Sequence, residues 1–342
     1  MREIKPNKKN IFSKFFIKIC RFFGFEIIDQ SNFTAPVSNK SLNESLSVPG
    51  KRSITLPLGE VKITRKVKSF DVILRTCMTV NMLTQSKKRI FEKEKEEYTK
   101  RTLVSIIKSI NHAKIKFEET KFKIYVIDHN SQNDQMNMLK NILNNSQIDF
   151  EINTLNFNRY SKEIKKINEE NKEVTSNQKS NMSNIHQSII LSKEKCEDLT
   201  YFVEDDYLHK LNAVSEILFA YEKFSSLFNN ELIICPTDYP YLYTGTNDTK
   251  VFMGENRHWR KIDQTLCSFV MSKKIINNYY EELISMCKFE HYPFEKPLHN
   301  IYKKELCISP IPSLSVHFTN INSIYGLSPN VDWKKLWEEN ES

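Results

Sequence analysis

Glycine is scarce in this sequence, with six glycines among 342 residues. Their spacing forms neither a G-x-G-x-x-G fingerprint nor a G-x-x-x-x-G-K-[ST] loop. Both motifs bring backbone N–H groups close to nucleotide phosphates. If the protein binds such phosphates, it therefore holds them without a dinucleotide fingerprint or a Walker loop.

Paired cysteines and long apolar runs are also missing. The seven cysteines include no C-x-x-C pair, which argues against a zinc or dithiol motif and is typical of a reducing compartment. No run of 18 apolar residues occurs, so we expect no transmembrane helix. No small-residue cleavage site follows the basic, apolar amino terminus, so we expect no signal peptide. The sequence favours a cytoplasmic protein, with a place at the inner face of a membrane as a further option.

Positive charge is present but diluted. The formal net charge is +8 over the whole chain, and much of the excess lies in the first 70 residues. Such a balance suits an anionic partner, whether a phosphate-bearing ligand, an acidic lipid or nucleic acid. Because the cations are not gathered into an aromatic-studded face, nucleic acid is the least favoured of these partners.

The amino-terminal segment 11–28, "IFSKFFIKICRFFGFEII", places Phe and Ile at helical spacing with Lys and Arg between them. This composition is typical of a helix that lies in a membrane interface. A helix packed on the protein's own core would show the same spacing, and the sequence does not choose between the two. Residues 29–68 are rich in Ser, Asn, Lys and Pro and are predicted to be a linker. Residues 1–68 thus form a basic, Phe-rich arm and linker.

From residue 69 onward, strand-like and helical patterns alternate. Strands are predicted at 70–76, 122–128, 150–157, 199–203, 231–239, 265–272 and 307–318. Apolar residues at helical spacing mark segments between them, whereas the polar stretch 158–181 is predicted to be a mobile loop. In the tail 319–342, Trp333 and Trp337 are expected to dock a short helix. The alternation predicts a mostly parallel, three-layer α/β sheet over 69–318.

Polar residues follow the predicted strands where each one ends. These ends carry Arg75–Thr76, Asp128–Ser131, Glu204–Asp206 and Asp238. Ligands of open α/β sheets bind at the carboxyl ends of the strands. We therefore expect the binding site at this edge.

The stretch "LTYFVEDDYLHK" ends an apolar run in three consecutive acids. Two like charges about 4–6 Å apart cost roughly 3–4 kcal/mol, so water, protonation or a cation must relieve the repulsion. If the strand stays extended through Asp206, then Glu204 and Asp206 share one side and Asp205 takes the other. The acids alone would be read as a solvated turn. Their position at a strand end, with Asp128 at another, favours a hard divalent cation and bound phosphates.

Two segments resemble GT-A glycosyltransferases, and the resemblance extends over 69–318. "IYVIDHNSQND" is similar to their second-strand segment, whose acid and polar loop contact the nucleotide. "YFVEDDYL" resembles their D-x-D motif, with Glu204 in place of the first Asp. The resemblance implies a Rossmann-like GT-A sheet and transfer of a sugar, with inversion, from a nucleotide-sugar donor to a glycan or lipid-linked acceptor.

The resemblance also implies roles for particular residues. A metal ion, Mn²⁺ or Mg²⁺, would be held by Glu204, Asp206 and His317 and would neutralise the departing nucleotide diphosphate. The donor's nucleotide would be contacted by Arg75, Thr76, Asp128, Ser131 and Asp205.

A catalytic base for the acceptor hydroxyl follows from the order of segments in the same family. "FEKPLHNIYKK" takes the place of the acidic helix start, which makes Glu295 the candidate base, although Lys296 stands where the family often has Asp. Asp263 and Asp238 are rival candidates. Residues 254–265, "GENRHWRKIDQT", are predicted to be a loop whose cations and aromatics suit a sugar or phosphate of the acceptor, or simply a surface loop.

Two other functions remain open at this point. A nucleotidyltransferase would share the sheet and the metal-binding acids, but it usually needs a glycine-rich basic loop that this sequence lacks. A catalytically inactive, membrane-peripheral scaffold could retain a degenerate nucleotide-sugar pocket.

Overall fold

The computed structural model describes residues 11–25, 62–79, 89–168, 171–245, 249–319 and 323–341. The chain divides into two compact units, Met1–Val61 and Lys62–Ser342. In the first unit, the described part is helix α1 (Ile11–Phe22) and the turn that follows it. The part of the predicted linker between 29 and 61 lies outside the described residues.

The second unit contains the strands and the remaining helices. Its strands are β1 (Ser69–Thr76), β2 (Lys121–Asp128), β3 (Asp149–Thr154), β4 (Leu199–Glu204), β5 (Tyr207–His209), β6 (Ile233–Ile234), β7 (Val251–Met253), β8 (His258–Ile262), β9 (Phe269–Ser272), β10 (Cys307–Ile311) and β11 (Ser315–His317). Its α-helices are α2 (Lys95–Lys114), α3 (Asn133–Asn144), α4 (Phe157–Tyr160), α5 (Ser176–Lys195), α6 (Ala213–Phe228), α7 (Lys273–Asn278), α8 (Tyr280–Met286), α9 (Lys296–Tyr302) and α10 (Trp333–Glu338).

Nine of the strands form one twisted sheet in the order β3-β2-β1-β4-β9-β6-β10-β8-β7. The strands β3, β2, β1 and β4 are mutually parallel, and β6 pairs in parallel with β10. Strand β9 runs antiparallel to both β4 and β6, and β8 runs antiparallel to β10 and β7. The fold class predicted from the sequence is confirmed as an α/β fold with a mostly parallel, Rossmann-like central sheet.

Helices cover both faces of this sheet. All eight residues of β1 are buried, which requires a covered surface above and below the strand. Helix α5 packs on β1, β2, α7 and α8, whereas α2 packs on α6. The sheet with these two groups of helices gives the three-layer arrangement.

A smaller sheet stands beside the carboxyl edge of the large one. Strand β5 leaves the central sheet immediately after β4 and pairs antiparallel with β11. An aromatic cluster packs against this pair and includes Tyr98 from α2, Phe318 after β11, and Trp337 from α10. Phe91 stacks on Trp337 with ring centroids 4.3 Å apart. The predicted tail helix therefore docks through Trp337, next to the segment that leads into α2.

Several predicted segments differ from the structure. The stretch 158–181 is not wholly loop, because α5 begins at Ser176, where Thr175 and Gln178 form a reciprocal capping box. The segment 254–265 contains β8, whose Trp259 is fully buried. The extended segment 307–318 divides into β10 and β11, which belong to different sheets, and Pro312 lies between them. The predicted strand 231–239 reduces to β6. Hydrophobic alternation predicted 231–239 and 307–318 correctly as containing extended chain, but it missed β8 and the start of α5, and it could not predict with which strand each strand pairs.

Gly254 lies against the ring of Trp259. A Cβ atom at Gly254 would meet the Nε1 atom of Trp259 at 2.5 Å and its Cδ1 atom at 2.8 Å. Because the indole is fully buried, it has little room to move. We expect Gly254→Ala to lower the free energy of unfolding by about 1–3 kcal/mol, measured by urea denaturation.

Gly245 provides the matched control, because a Cβ atom there would have no neighbour within 4 Å. Gly245→Ala should leave the unfolding midpoint nearly unchanged. Equal midpoints for the two variants would contradict the close packing of Gly254 on Trp259.

Candidate active site

The carboxyl ends of β1, β2 and β4 bring four predicted site residues into two adjacent rows of the sheet. In the sheet register, Thr76 pairs with Asp128 and Arg75 pairs with Glu204. Because these strands are parallel, their polar ends meet at the same edge. This edge is therefore the candidate active site.

Asp128 is the centre of a hydrogen-bond network on the β1–β2 side of this edge. The Thr76 hydroxyl donates to Asp128 Oδ1 at 2.7 Å, and the Ser131 hydroxyl donates to the same oxygen at 2.6 Å. The Ser131 backbone N–H donates to Asp128 Oδ2 at 3.1 Å, and Ser131 Oγ accepts from the Met78 N–H at 3.0 Å. The structure thus brings together three of the residues predicted to contact a nucleotide and fixes the loops that follow β1 and β2.

The three acids after β4 do not continue an extended strand. Strand β4 ends at Glu204, and Asp205 and Asp206 form the turn into β5. The predicted alternation through Asp206 is therefore wrong, because β5 departs to pair with β11. As a result Asp205 and Asp206 face one cation, Lys95, whereas Glu204 pairs with Arg75.

Lys95, the first residue of α2, bridges the two aspartates. Its Nζ atom lies 2.6 Å from Asp205 Oδ1 and 3.2 Å from Asp206 Oδ2. Asp205 Oδ2 also accepts hydrogen bonds from the Thr99 hydroxyl and the Cys77 backbone N–H, each at 3.1 Å. Asp205 therefore ties the start of α2 to the end of β1, and its carboxylate is fully occupied by protein donors.

Asp206 also contacts a second cation, Arg89, and the imidazole of His317. Its Oδ2 atom lies 3.0 Å from Arg89 Nη1, and its Oδ1 atom lies 3.5 Å from His317 Nε2. Burial alone would raise the pKa of Asp206, but the charges of Lys95, His317 and Arg89 hold that pKa well below its usual range. Asp206 is thus an ionised carboxylate in a buried position.

The electrostatic repulsion among the acids is relieved by cations of the protein itself. Arg75, Arg89 and Lys95 provide one positive charge for each of the three carboxylates, and all three cations are buried. Arg89 and Lys95 were not predicted from the sequence, because they lie in a charged stretch that contains neither a strand end nor a motif. The three consecutive acids could have predicted such cations, because buried carboxylates require paired charges.

His317 is oriented by contacts on both sides of its ring. The imidazole stacks on Tyr207, with ring centroids 4.5 Å apart and planes 2° apart. His317 Nδ1 donates to the Tyr325 carbonyl oxygen at 2.7 Å, which leaves Nε2 directed at Asp206. Burial would lower the pKa of His317, but the charge of Asp206 and its hydrogen bond raise that pKa above the ordinary value.

The predicted metal ligands are only partly brought together. Among the residues that the structure describes, no group of three His, Cys, Asp or Glu side chains is arranged to hold a metal ion. Glu204 Oε1 lies 3.0 Å from Arg75 Nη2, so its carboxylate is committed to that guanidinium. Asp206 Oδ1 and His317 Nε2 do face one another, and the Nδ1 contact to a carbonyl is the arrangement that orients ligating histidines. Two protein ligands therefore fit a metal, and the third does not.

Arg75 connects Glu204 to the segment before β9. The Arg75 Nη2 atom donates to the Cys267 carbonyl oxygen at 3.2 Å. The Nε and Nη1 atoms of this side chain are buried and have no hydrogen-bond partner. A buried guanidinium with two unused donor atoms is suited to an anionic or hydroxyl-bearing ligand.

Glu295 stands immediately before α9, whose contacts place it near the same segment. Thr265 Oγ1 lies 2.8 Å from the Tyr302 hydroxyl, and His299 Nε2 lies 2.9 Å from the Thr265 carbonyl oxygen. The Glu295 side chain is buried. Burial, with a smaller effect from the charge of Glu204, raises the pKa of Glu295 to about 7. Such a carboxyl group changes its protonation state near neutral pH, as a general base requires.

The two rival base candidates have other surroundings. Asp238 is buried in an ion pair with Arg260 and accepts a hydrogen bond from the Tyr243 hydroxyl at 2.5 Å. Asp263 is exposed and follows Ile262, which pairs with Cys307, the first residue of β10. Asp263 therefore lies beyond the edge where β10 begins, whereas Glu204 lies where β4 ends. Neither aspartate shares the surroundings of Glu204 and Arg75.

Comparisons with known proteins find likeness of fold. No protein-family model matches the chain, and no curated protein matches it. Among solved structures, UDP-glucose pyrophosphorylase complexed with UDP-glucose is 9% identical, with 80% of this chain and 97% of that chain covered and a TM-score of 0.38.

Two glycosyltransferase structures are also similar. Galactosyltransferase LgtC in complex with donor and acceptor sugar analogues is 9% identical, with 79% of this chain and 95% of that chain covered and a TM-score of 0.37. Mouse xyloside xylosyltransferase 1 in its apo form is 8% identical, with 69% of this chain and 83% of that chain covered and a TM-score of 0.40. At these identities and TM-scores, the likeness carries no conclusion about the activity of this chain.

The charge cluster allows a test of stability. Asp206→Ala removes the buried carboxylate that Arg89 and Lys95 both contact. We expect the free energy of unfolding to fall by about 3–5 kcal/mol, the usual cost of breaking a buried ion pair, measured by urea denaturation at pH 7.

The matched control is the exposed pair of Lys66 and Glu119, whose atoms lie 3.3 Å apart. Glu119→Gln removes the same charge from the surface and should change the free energy of unfolding by less than about 1 kcal/mol. Similar losses for Asp206→Ala and Glu119→Gln would show that the cluster does not depend on Asp206.

Proposed function

We propose that this protein is a glycosyltransferase that moves a sugar from a nucleotide-sugar donor to a glycan or lipid-linked acceptor, with inversion at the anomeric carbon. The observation that carries the proposal is Glu295. It is a buried carboxyl group with a pKa of about 7, close enough to Glu204 to be affected by its charge. Residues suited to a nucleotide and its phosphates lie along the same sheet edge.

The proposed reaction needs one proton acceptor and one stabilised leaving group. Glu295, in its carboxylate form, takes the proton of the acceptor hydroxyl as that oxygen forms a bond to the anomeric carbon. The bond between the anomeric carbon and the diphosphate oxygen breaks, and the nucleoside diphosphate leaves with the electron pair. Attack from the face opposite to the leaving group gives inversion.

The nucleotide-sugar donor would bind at the carboxyl ends of β1 and β2. The network of Asp128, Thr76 and Ser131 would position the base or ribose, since its side chains are already fixed by mutual hydrogen bonds. Arg75, which pairs with Glu204, would add positive charge at the same edge. Pre-formed groups of this kind reduce the entropy that is lost when substrate binds.

Asp206 and His317 would hold a divalent metal, Mn²⁺ or Mg²⁺. Such an ion is commonly held by one or two protein groups together with substrate phosphates, and it would supply positive charge to the departing diphosphate. We leave Glu204 out of this set because Arg75 pairs with it. Arg89 and Lys95 already neutralise much of the Asp206 charge, so the ion should bind weakly before the nucleotide does.

The pH dependence of transfer tests the role of Glu295. Its raised pKa means that the carboxylate form is lost as the pH falls through about 7. We expect kcat/KM to decrease tenfold per pH unit below that value. Glu295→Gln should lower kcat by about 10²- to 10⁴-fold and abolish this dependence.

Glu290 is the control, because it is an exposed glutamate five residues earlier in the chain. Glu290→Gln should keep both the rate and the pH profile. A Glu295→Gln variant with unaltered rate would remove Glu295 from the role of base.

Release of nucleoside diphosphate from a panel of nucleotide sugars, with Mn²⁺ present, tests the reaction itself. Isothermal calorimetry should show that UDP binds at least tenfold more tightly with Mn²⁺ than with EDTA. His317→Ala should remove most of this difference, whereas His112→Ala, at the far end of α2, should retain it.

Other functions give other results in the same experiments. A nucleotidyltransferase would form nucleotide sugar and pyrophosphate from a nucleoside triphosphate and a sugar 1-phosphate. An inactive scaffold would bind the nucleotide and release no diphosphate from any donor.

A further inference from the structure

Helix α1 exposes large apolar side chains that no part of the proposed reaction uses. Phe12 is 83% exposed, Phe16 is 60% exposed and Phe22 is 85% exposed. Exposed phenylalanines grouped in this way are unusual on a soluble surface and mark a site of interaction. The identity of the partner follows from how these side chains and the charges are distributed around the helix.

The apolar residues form one broad face. Projected at about 100° per residue, six of them fall within an arc of about 140°. They are Ile11, Phe12, Phe15, Phe16, Ile19 and Phe22. Ile17, which is only partly exposed, lies on the opposite side. An arc of this width differs from the narrow seam of a coiled coil, where apolar residues repeat every 3.5 positions.

The charges of the helix are all of one sign. Lys14, Lys18 and Arg21 lie outside the apolar arc, and residues 11–25 contain no aspartate or glutamate. Phenylalanines on one face with cations on the remainder are the composition of helices that lie in the plane of an anionic bilayer surface. A partner protein would need an acidic rim around a wide apolar groove, whereas an anionic lipid surface supplies both features everywhere.

The length of α1 fits the same partner. Its 12 residues give a helix of about 18 Å, which is shorter than the roughly 30 Å hydrocarbon core of a bilayer. Within the described part of the chain, no helix is both long enough and apolar enough to cross a membrane. The 12 described residues of α1 are therefore long enough to lie along a bilayer surface.

We propose that α1 is a membrane-surface anchor, which inserts its Phe-rich face into the headgroup region of a bilayer containing anionic lipid. Contact through the cations should be screened by salt, whereas the apolar contact should persist. This inference is independent of the proposed reaction, because it uses no residue of the sheet edge.

Vesicle co-sedimentation of the full chain tests the anchor. We expect binding to vesicles of phosphatidylcholine with 30% phosphatidylglycerol to exceed binding to phosphatidylcholine alone by at least tenfold at low salt. Phe16→Glu, which puts a charge in the middle of the apolar face, should lower the partition coefficient by about tenfold or more. Lys14→Gln and Lys18→Gln should each lower it by about fivefold, on the anionic vesicles only.

The matched control is Ile17→Glu, which adds the same charge on the opposite face. It should lower binding to anionic vesicles by no more than the amount that a single lysine substitution does. Equal losses for Phe16→Glu and Ile17→Glu would overturn the proposed orientation of the helix. If the full chain does not bind vesicles, the proposed anchor is wrong. This conclusion also holds if the chain instead forms an oligomer without lipid, which sedimentation velocity would detect and which Phe16→Glu would dissociate.

Activity separates this proposal from the proposed function. Nucleoside diphosphate release with a water-soluble acceptor should be the same for the unaltered protein and for Phe16→Glu, since α1 has no part in the sheet-edge chemistry. If Phe16→Glu no longer binds vesicles but still releases nucleoside diphosphate at the same rate, the substitution affects only the anchor. An inactive protein that still binds vesicles would contradict the proposed function and leave the anchor intact.

Discussion

The contact on which the candidate site depends is the bridge that Lys95 makes between Asp205 and Asp206. The lysine is the first residue of α2, so the bridge joins the start of that helix to the turn after β4. Asp205 extends the connection to the end of β1 through the Cys77 N–H, and Asp206 extends it to β11 through His317. One buried cation thereby fixes three separate segments, and its charge offsets part of the cost of burying two adjacent aspartates.

The sequence predicted the fold and the location of the site more completely than the contacts within it. Polar residues at strand ends were enough to locate the edge, because parallel strands place their carboxyl ends together. Thr76 and Asp128 accordingly lie in one row of the sheet, and Arg75 and Glu204 lie in the adjacent row. The partners Arg89 and Lys95 were not predicted, since ion pairs between residues more than 100 positions apart depend on which segments pack together. The spacing of apolar residues in one segment indicates only which face of that segment is buried, not which other segment it contacts.

The turn at Asp205 and Asp206 shows the same limit. An alternating strand would have placed Glu204 and Asp206 on one side, which is where the metal set implied by the resemblance needs them. The alternation ends because β5 belongs to another sheet, a feature of long-range pairing that no local pattern contains. Strand β8 was missed for a related reason, since its buried Trp259 and Arg260 lie among charged residues that read as a surface loop.

The internal cations also change what a metal could do at this edge. In a cluster of unpaired acids, a divalent ion would be the main source of positive charge and would bind without substrate. Here Arg75, Arg89 and Lys95 already pair with Glu204, Asp205 and Asp206, so these carboxylates attract an ion less strongly. A nucleoside diphosphate would bring the missing negative charge. Metal and donor should therefore bind together, and neither should bind tightly alone.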